Sequence, residues 1–155
     1  MNKTNVMRLM DAAQIEYKAH EYDVSITDGG AVAKILKEDP DQVFKTLVTV
    51  SNIKENFVFV IPVNRSLSLK KAAKAAGVKK IEMIKQKELF PLTSYVHGGC
   101  SPIGMKKEFP TFIEETAQLF DTIIFSGGRK GSQVEVNPRI LVKFLSEGHF
   151  ADVAE

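Results

Sequence analysis

A mixed α/β domain, built on a strongly curved sheet or partial barrel flanked by helices, is the architecture this sequence predicts. Three observations carry it. Two β-rich runs, Val43 to Val50 and Asn56 to Val63, are separated only by the polar stretch Ser51 to Glu55. Helical patterns occur near both ends and in the middle of the chain, and the short strand-like runs outnumber what a parallel sheet with regular crossovers needs. The chain has 155 residues and is 44% apolar, which suits one domain over 1–155 with a core of its own.

Taken in order, Thr4 can cap a first helix whose Val6, Leu9, Met10 and Ala13 share a face. An extended run, Glu16 to Tyr22, leads into Thr27-Asp28-Gly29-Gly30. A helix from about Ala31 to Lys37 then stops before Pro40, because the residue preceding a proline is pushed out of the helical region. The two β-rich runs follow as an expected hairpin. Leu69, Ala72, Ala73 and Ala76 recur at helical spacing, so a helix there turns them inward, sets Lys70, Lys71 and Lys74 outward, and ends at Gly77. Lys85 to Phe90 adds a helical turn before an extended Thr93 to His97. Thr122 to Ser126 and Gln133 to Val136 read as strands joined by a glycine loop, and Pro138 opens a helix over Ile140 to Leu145.

Charge and composition exclude several classes. The formal net charge is only +2, yet between Arg65 and Lys87 eight Lys or Arg face one acid, Glu82. That segment is either an ordinary solvated helix surface or a patch that contacts phosphates. It carries no aromatic residue between the cations, which argues against a generic single-strand RNA binder. The one cysteine excludes an intramolecular disulfide, and His20, His97 and His149 lack metal-ligand spacing, so neither a metal nor another cofactor is expected. No apolar stretch approaches the roughly 20 residues of a membrane span. A cytoplasmic location follows as the expectation.

Two glycine-rich segments, Gly98-Gly99-Cys100-Ser101-Pro102-Ile103-Gly104 and Ser126-Gly127-Gly128-Arg129-Lys130-Gly131, border strand-like runs. Such clusters mark tight turns or places where backbone N–H groups approach a ligand. Lys45 lies within a run that is apolar on both faces, where its stem can pack while the ammonium reaches solvent, or its charge can line a cleft and hold a phosphate or oxyanion. A Schiff-base lysine ranks lower, since no carbonyl-chemistry signature accompanies it. Cys100, three residues after His97, reads as a small packing residue rather than half of a nucleophilic pair. Glu135 can face a pocket, but alternation favours solvent.

Val43-Phe44-Lys45-Thr46-Leu47 and the two glycine segments, in this order, resemble the YbaK/EbsC family, and the likeness spans nearly the whole chain, Leu69 to Lys74 included. The family is related to the editing domain inserted in bacterial prolyl-tRNA synthetases, and its fold is a mixed-strand barrel flanked by helices. The resemblance implies a Cys-tRNA(Pro) deacylase that uses the substrate's own thiol and releases a thiolactone. Its residues map onto Lys45 for positioning the acceptor end, the Gly98 and Gly99 backbone beside the ester carbonyl, and Tyr22, Thr46, Ser101, Gly104, Ser126 and Gly127 around the aminoacyl group. Lys70, Lys71, Lys74, Arg129 and Lys130 are the expected tRNA-facing cations. The implied partners are aminoacylated tRNA(Pro) and, transiently, prolyl-tRNA synthetase, with neither DNA nor membrane. Editing of other small aminoacyl esters such as Ala-tRNA(Pro), or non-catalytic binding of tRNA or synthetase, are the rival readings.

Overall fold

The computed structural model describes residues 2–23 and 29–155, so Thr27 and Asp28 of the expected glycine turn lie outside the described residues. Helix α1, Asn5–Ala12, starts where expected: the Thr4 hydroxyl accepts from the Met7 N–H. Its buried face is Val6, Met7 and Met10. The expected Leu9 and Ala13 are exposed instead, because the helix closes at Ala12 and its contact stripe is rotated by one position. Strand β1, Lys18–Glu21, falls inside the expected extended run.

Helix α2 covers Gly29–Ile35, earlier than expected. Lys37 adopts a left-handed conformation at φ 58°, and the Glu38 N–H turns back onto the Ala33 carbonyl at 2.7 Å. The helix is therefore closed by its own C-terminal turn before Pro40 can act. Strands β2, Phe44–Ser51, and β3, Asn56–Pro62, form the expected antiparallel hairpin, with Lys45 opposite Ile61. Helix α3, Leu69–Ala76, is capped by Ser68 and ends at Gly77, whose φ of 72° provides the left-handed stop. Ala72 and Ala73 are buried beneath it, while Leu69 at its first position stays exposed.

Several elements depart from the sequence expectation. Strand β4, Ile81–Met83, extends the sheet beside the end of β2. A 3-10 turn over Gln86–Glu88 runs into α4, Leu89–Thr93, and the left-handed Ser94 then breaks the chain, so Thr93 to His97 is no strand. Strand β5, Thr111–Glu114, is also new, and a 3-10 turn over Glu115–Leu119 follows it. Strands β6, Ile123–Ser126, and β7, Ser132–Val136, and helix α5, Pro138–Phe144, agree with expectation. Strand β8, Gly148–Ala151, was not legible as one.

The strands form two sheets. One is antiparallel, in the order β1-β7-β6; the other runs β4-β2-β3-β5-β8, antiparallel across its first three strands and parallel across β3-β5-β8. Among the described residues, a parallel bridge from Val43 to Ile124 ties the two together. The result is the expected mixed and curved arrangement, with the sheet not closed into a barrel. Between the sheets lies the main core, where Val48, Val58, Val60 and Ile113 meet Ile123, Phe125, Val134 and Val136 under α1. The far face of the larger sheet carries a second core, with Phe57, Phe59, Ile61 and Phe112 beneath α3. The larger sheet is thus covered on both faces and buries apolar area on each.

Candidate active site

Strand β2 is paired along its whole length with β3, but its other edge is covered only at the ends. Beta4 takes Thr49 to Ser51, and β6 is bridged to Val43, the residue before β2, with the Ile124 N–H donating to the Gln42 carbonyl at 3.0 Å. Between them, Phe44 to Leu47 line a cleft of about 390 Å³ that opens where the sheets diverge. The alternation of an antiparallel ladder turns the Thr46 backbone N–H and C=O away from β3, toward this edge. The buried Thr46 hydroxyl has no hydrogen-bond partner in the structure. A strand edge with unused polar groups is a natural template for a polar ligand.

Tyr22, Val32, Ser126 and Gln133, from β1, α2, β6 and β7 or their ends, line the cleft together with Leu89, His97, Gly98 and Cys100 from α4 and the segment after it. Lys45 lies among them, half-buried, with its ammonium 3.5 Å from the Val63 carbonyl. Its stem thus packs and its charge lies in the cleft, so the two readings of this lysine are compatible. Ser126 accepts the Gly128 N–H at 3.1 Å, which occupies a lone pair and leaves its O–H free to donate. Gly128 must be glycine here: its φ is 103°, and a Cβ would meet Val6 Cγ2 at 2.9 Å.

The two glycine segments touch. A Cβ on Gly99 would lie 3.0 Å from the Arg129 Cα, so the first segment seats directly on the second and sets Gly98 opposite Ser126. Of the expected site residues, the structure brings together Tyr22, Lys45, Thr46, Gly98 and Ser126 around the cleft. Gly99 and Gly127 sit behind it. Ser101 is fully buried, with its hydroxyl accepting from the Ile103 N–H at 3.4 Å, and Gly104 lines a different cavity beside Asn5 and Leu9. Ser101 holds the turn from within, Gly104 lies against α1, and neither lines the cleft. The Tyr95 hydroxyl reinforces that turn by donating to the Ile103 carbonyl.

Burial pushes the Cys100 thiol up to about 12. It therefore stays protonated near neutrality, contrary to what a nucleophilic cysteine requires. Gln133, unmarked in the sequence, enters the cleft beside α2. Because an ionised carboxylate can only accept, the Gln133 amide is assigned with its nitrogen toward Glu38, 3.2 and 3.0 Å from the two carboxylate oxygens. Burial raises the Glu38 carboxyl, against the lowering influence of His20 and of the Gln133 hydrogen bond.

Glu135 corrects the expectation of a solvent-facing carboxylate. Only 17% of its side chain is exposed, His20 Nε2 lies 3.0 Å away, and the Thr122 hydroxyl donates to it. Burial works to raise its carboxyl, but these hydrogen bonds outweigh it and the value falls below the usual range. Glu135 is a support of the sheet's outer face and does not line the cleft.

Lys70 and Lys74 are exposed on α3, and Lys130 on the glycine loop. Lys71 is engaged with Asp152 at 3.0 Å and with the Ala154 carbonyl at 3.1 Å. Arg129 donates to the Asn2 carbonyl at 3.1 Å. Among the described residues no cluster of three His, Cys, Asp or Glu is arranged to hold a metal, and no helix is long and apolar enough to cross a membrane.

The comparison with known sequences gives the class of this small α/β domain: residues 25–144 match the aminoacyl-tRNA editing domain, and the chain belongs to that family. It is 46% identical over 153 residues, covering 97% of this chain and 93% of the other, to an Enterococcus faecalis (strain ATCC 700802 / V583) protein, EbsC, named as a candidate Cys-tRNA(Pro)/Cys-tRNA(Cys) deacylase. Two crystal structures share the fold. One, of a hypothetical protein, APE2540, superposes with a TM-score of 0.90 at 22% identity, covering 98% of this chain and 100% of that one. The other, described as a candidate trans-editing enzyme for prolyl-tRNA synthetase, has a TM-score of 0.83 at 20% identity, with 99% of each chain covered.

Proposed function

We propose that this protein is a trans-editing deacylase acting as one domain on cysteinyl-tRNA(Pro) in the cytoplasm. The 46% identity to EbsC across nearly the whole length is the observation that carries the reading. A proline site cannot exclude cysteine well by binding alone, because discrimination between near-isosteric apolar groups yields only about 1–3 kcal/mol. A second sieve is then needed.

The chemistry of the cleft fits a substrate that brings its own nucleophile. Cys100 is held protonated, and Lys45 and Ser126 are suited to positioning and hydrogen bonding. In this reading the cysteinyl thiol gives up its proton and its sulfur attacks the ester carbonyl. The carbon–oxygen bond to the ribose then breaks, the ribose oxygen takes a proton, and the cysteine leaves as a four-membered thiolactone. Lys45 holds the acceptor-end phosphate, and the backbone of Gly98 and Gly99 meets the charge that develops on the carbonyl oxygen. Holding thiol and carbonyl together replaces an enzyme nucleophile. Serine, with a far less acidic hydroxyl, and alanine, with no nucleophile, would turn over slowly.

Ester loss from Cys-tRNA(Pro), Ala-tRNA(Pro) and Ser-tRNA(Pro) tests the proposal. Rapid loss confined to the cysteinyl ester and abolished in Lys45→Ala supports it. Equal loss of the alanyl ester points to a size-selecting hydrolase, and no loss points to a binding module. A transient complex with prolyl-tRNA synthetase would supply tRNA identity. Sedimentation of the three components together checks it, and no association at micromolar concentration counts against it.

A further inference from the structure

Gln133 is 5% exposed, yet it lines the cleft, and its outward register on β7 sets it opposite His20 of β1. A glutamine amide offers two N–H donors and one carbonyl acceptor. Assigned so that a donor and not the amide oxygen meets the carboxylate, the nitrogen lies 3.0 and 3.2 Å from the two oxygens of Glu38. That leaves the carbonyl oxygen as the group Gln133 can present to a ligand. Glu38 is itself held by backbone geometry: the left-handed Lys37 closes α2 and directs the chain back so that the Glu38 N–H bonds Ala33.

Apart from the Thr46 backbone carbonyl at the strand edge, the polar side chains beside it are donors. Lys45 brings an ammonium, and Ser126 keeps its O–H to give because its oxygen already accepts from Gly128. An aminoacyl ester brings both kinds of group, a carbonyl that needs donors and an α-ammonium that needs an acceptor. We infer that the Gln133 carbonyl, oriented by Glu38, receives the α-ammonium of the aminoacyl group, with Gln133 as a binding residue and Glu38 as its positioning residue. The inference rests on the proposed aminoacyl-tRNA substrate but not on the route of ester cleavage. It gives the pocket a means to distinguish an amino acid from any other small thiol-bearing acyl group. A carbonyl backed by a carboxylate also suits a cation better than a bare amide, since the carboxylate favours positive charge nearby.

The test uses two stable compounds that the protein cannot cleave as esters: 3′-deoxy-3′-(L-cysteinylamino)adenosine, and its 3-sulfanylpropanoylamino counterpart, identical but without the α-amine. The wild-type protein is expected to bind the first more tightly by roughly tenfold, the scale of one hydrogen bond to a charged group. Gln133→Met, which keeps volume, should abolish the preference by weakening only the first compound. Glu38→Leu should do the same, and Glu38→Gln, which retains a carbonyl acceptor for the Gln133 amide, should restore it. Thermal unfolding of each variant reports whether the fold is intact. A purely structural role would weaken both compounds together. Equal affinity of the wild type for the two, or a preference that survives in Gln133→Met, overturns the inference. Neither result bears on ester cleavage, which the tRNA assay judges separately.

Discussion

Lys45 and Cys100 show at the residue scale how the same cleft treats two reactive side chains oppositely. Lys45 packs its stem in β2 and keeps its charge beside the Val63 carbonyl, so its removal should cost positioning and charge stabilisation. Lys45→Ala is expected to lose about a hundredfold or more in deacylation rate, measured by single-turnover release of cysteine from tRNA, with little change in melting temperature. Cys100, pushed up to about 12 by burial, should contribute no ionisation to the rate profile between pH 6 and about 9, because a thiol titrates only near its own pKa. Cys100→Ser should accordingly keep the wild-type pH profile and most of the rate. Loss of all chemistry in a folded Cys100→Ser protein would restore the nucleophile reading.

Beta5 and the C-terminal segment carry the corresponding argument at the scale of elements. Glu114, 1% exposed at the end of β5, accepts the backbone N–H groups of Thr116, Val153 and Ala154, and Arg65 lies 3.6 Å from it. Burial works to raise its carboxyl, but the three backbone donors outweigh that and hold it below the usual range. The carboxylate thus clamps the chain's last residues against β5. Its stabilisation is complete above the unfolded carboxyl value of about 4.3 and is lost as pH falls through the lower folded value. Glu114→Gln should cost about 2 kcal/mol at neutral pH, as charge-assisted hydrogen bonds are weakened. Equilibrium unfolding of the two proteins should converge as the solution is acidified. At the glycine loop, Gly128→Ala combines a positive φ with a 2.9 Å approach to Val6. A loss of about 1–3 kcal/mol is expected from overpacking, together with weaker deacylation as Ser126 loses its turn.

For the whole molecule, the basic surface and the cleft are separable. Alpha3 sits over the second core, on the far face of the larger sheet, and Lys70 and Lys74 project from it into solvent. Replacing both with glutamate should weaken binding of full-length tRNA and make the salt dependence shallower, as fewer phosphates are neutralised. Cleavage of a short cysteinyl-adenosine ester should be unchanged. Equal effects on both substrates would mean that these lysines act through the fold and not through tRNA. Lys71 is a poorer candidate for such contacts, being held by Asp152 and Ala154.

The sequence by itself determined the helix cap at Thr4, the stop at Gly77 and the β2–β3 hairpin, and it singled out Lys45 and both glycine segments, which the fold brings to one cleft. Each of these depends on a local rule: a side chain that satisfies a helix end, a residue that tolerates positive φ, or a β-rich period. The tertiary structure decided the remainder. Beta4, β5 and β8 are three or four residues long and become strands only because neighbouring edges complete their hydrogen bonds. Ser101 and Gly104 belong to a motif whose Gly98 faces the cleft, yet the turn between them points the other way, toward α1. Gln133 and Glu38 stand 95 positions apart and carry no motif. Their pairing exists only because the left-handed turn after α2 brings a carboxylate over the face of β7, a relation no local pattern encodes.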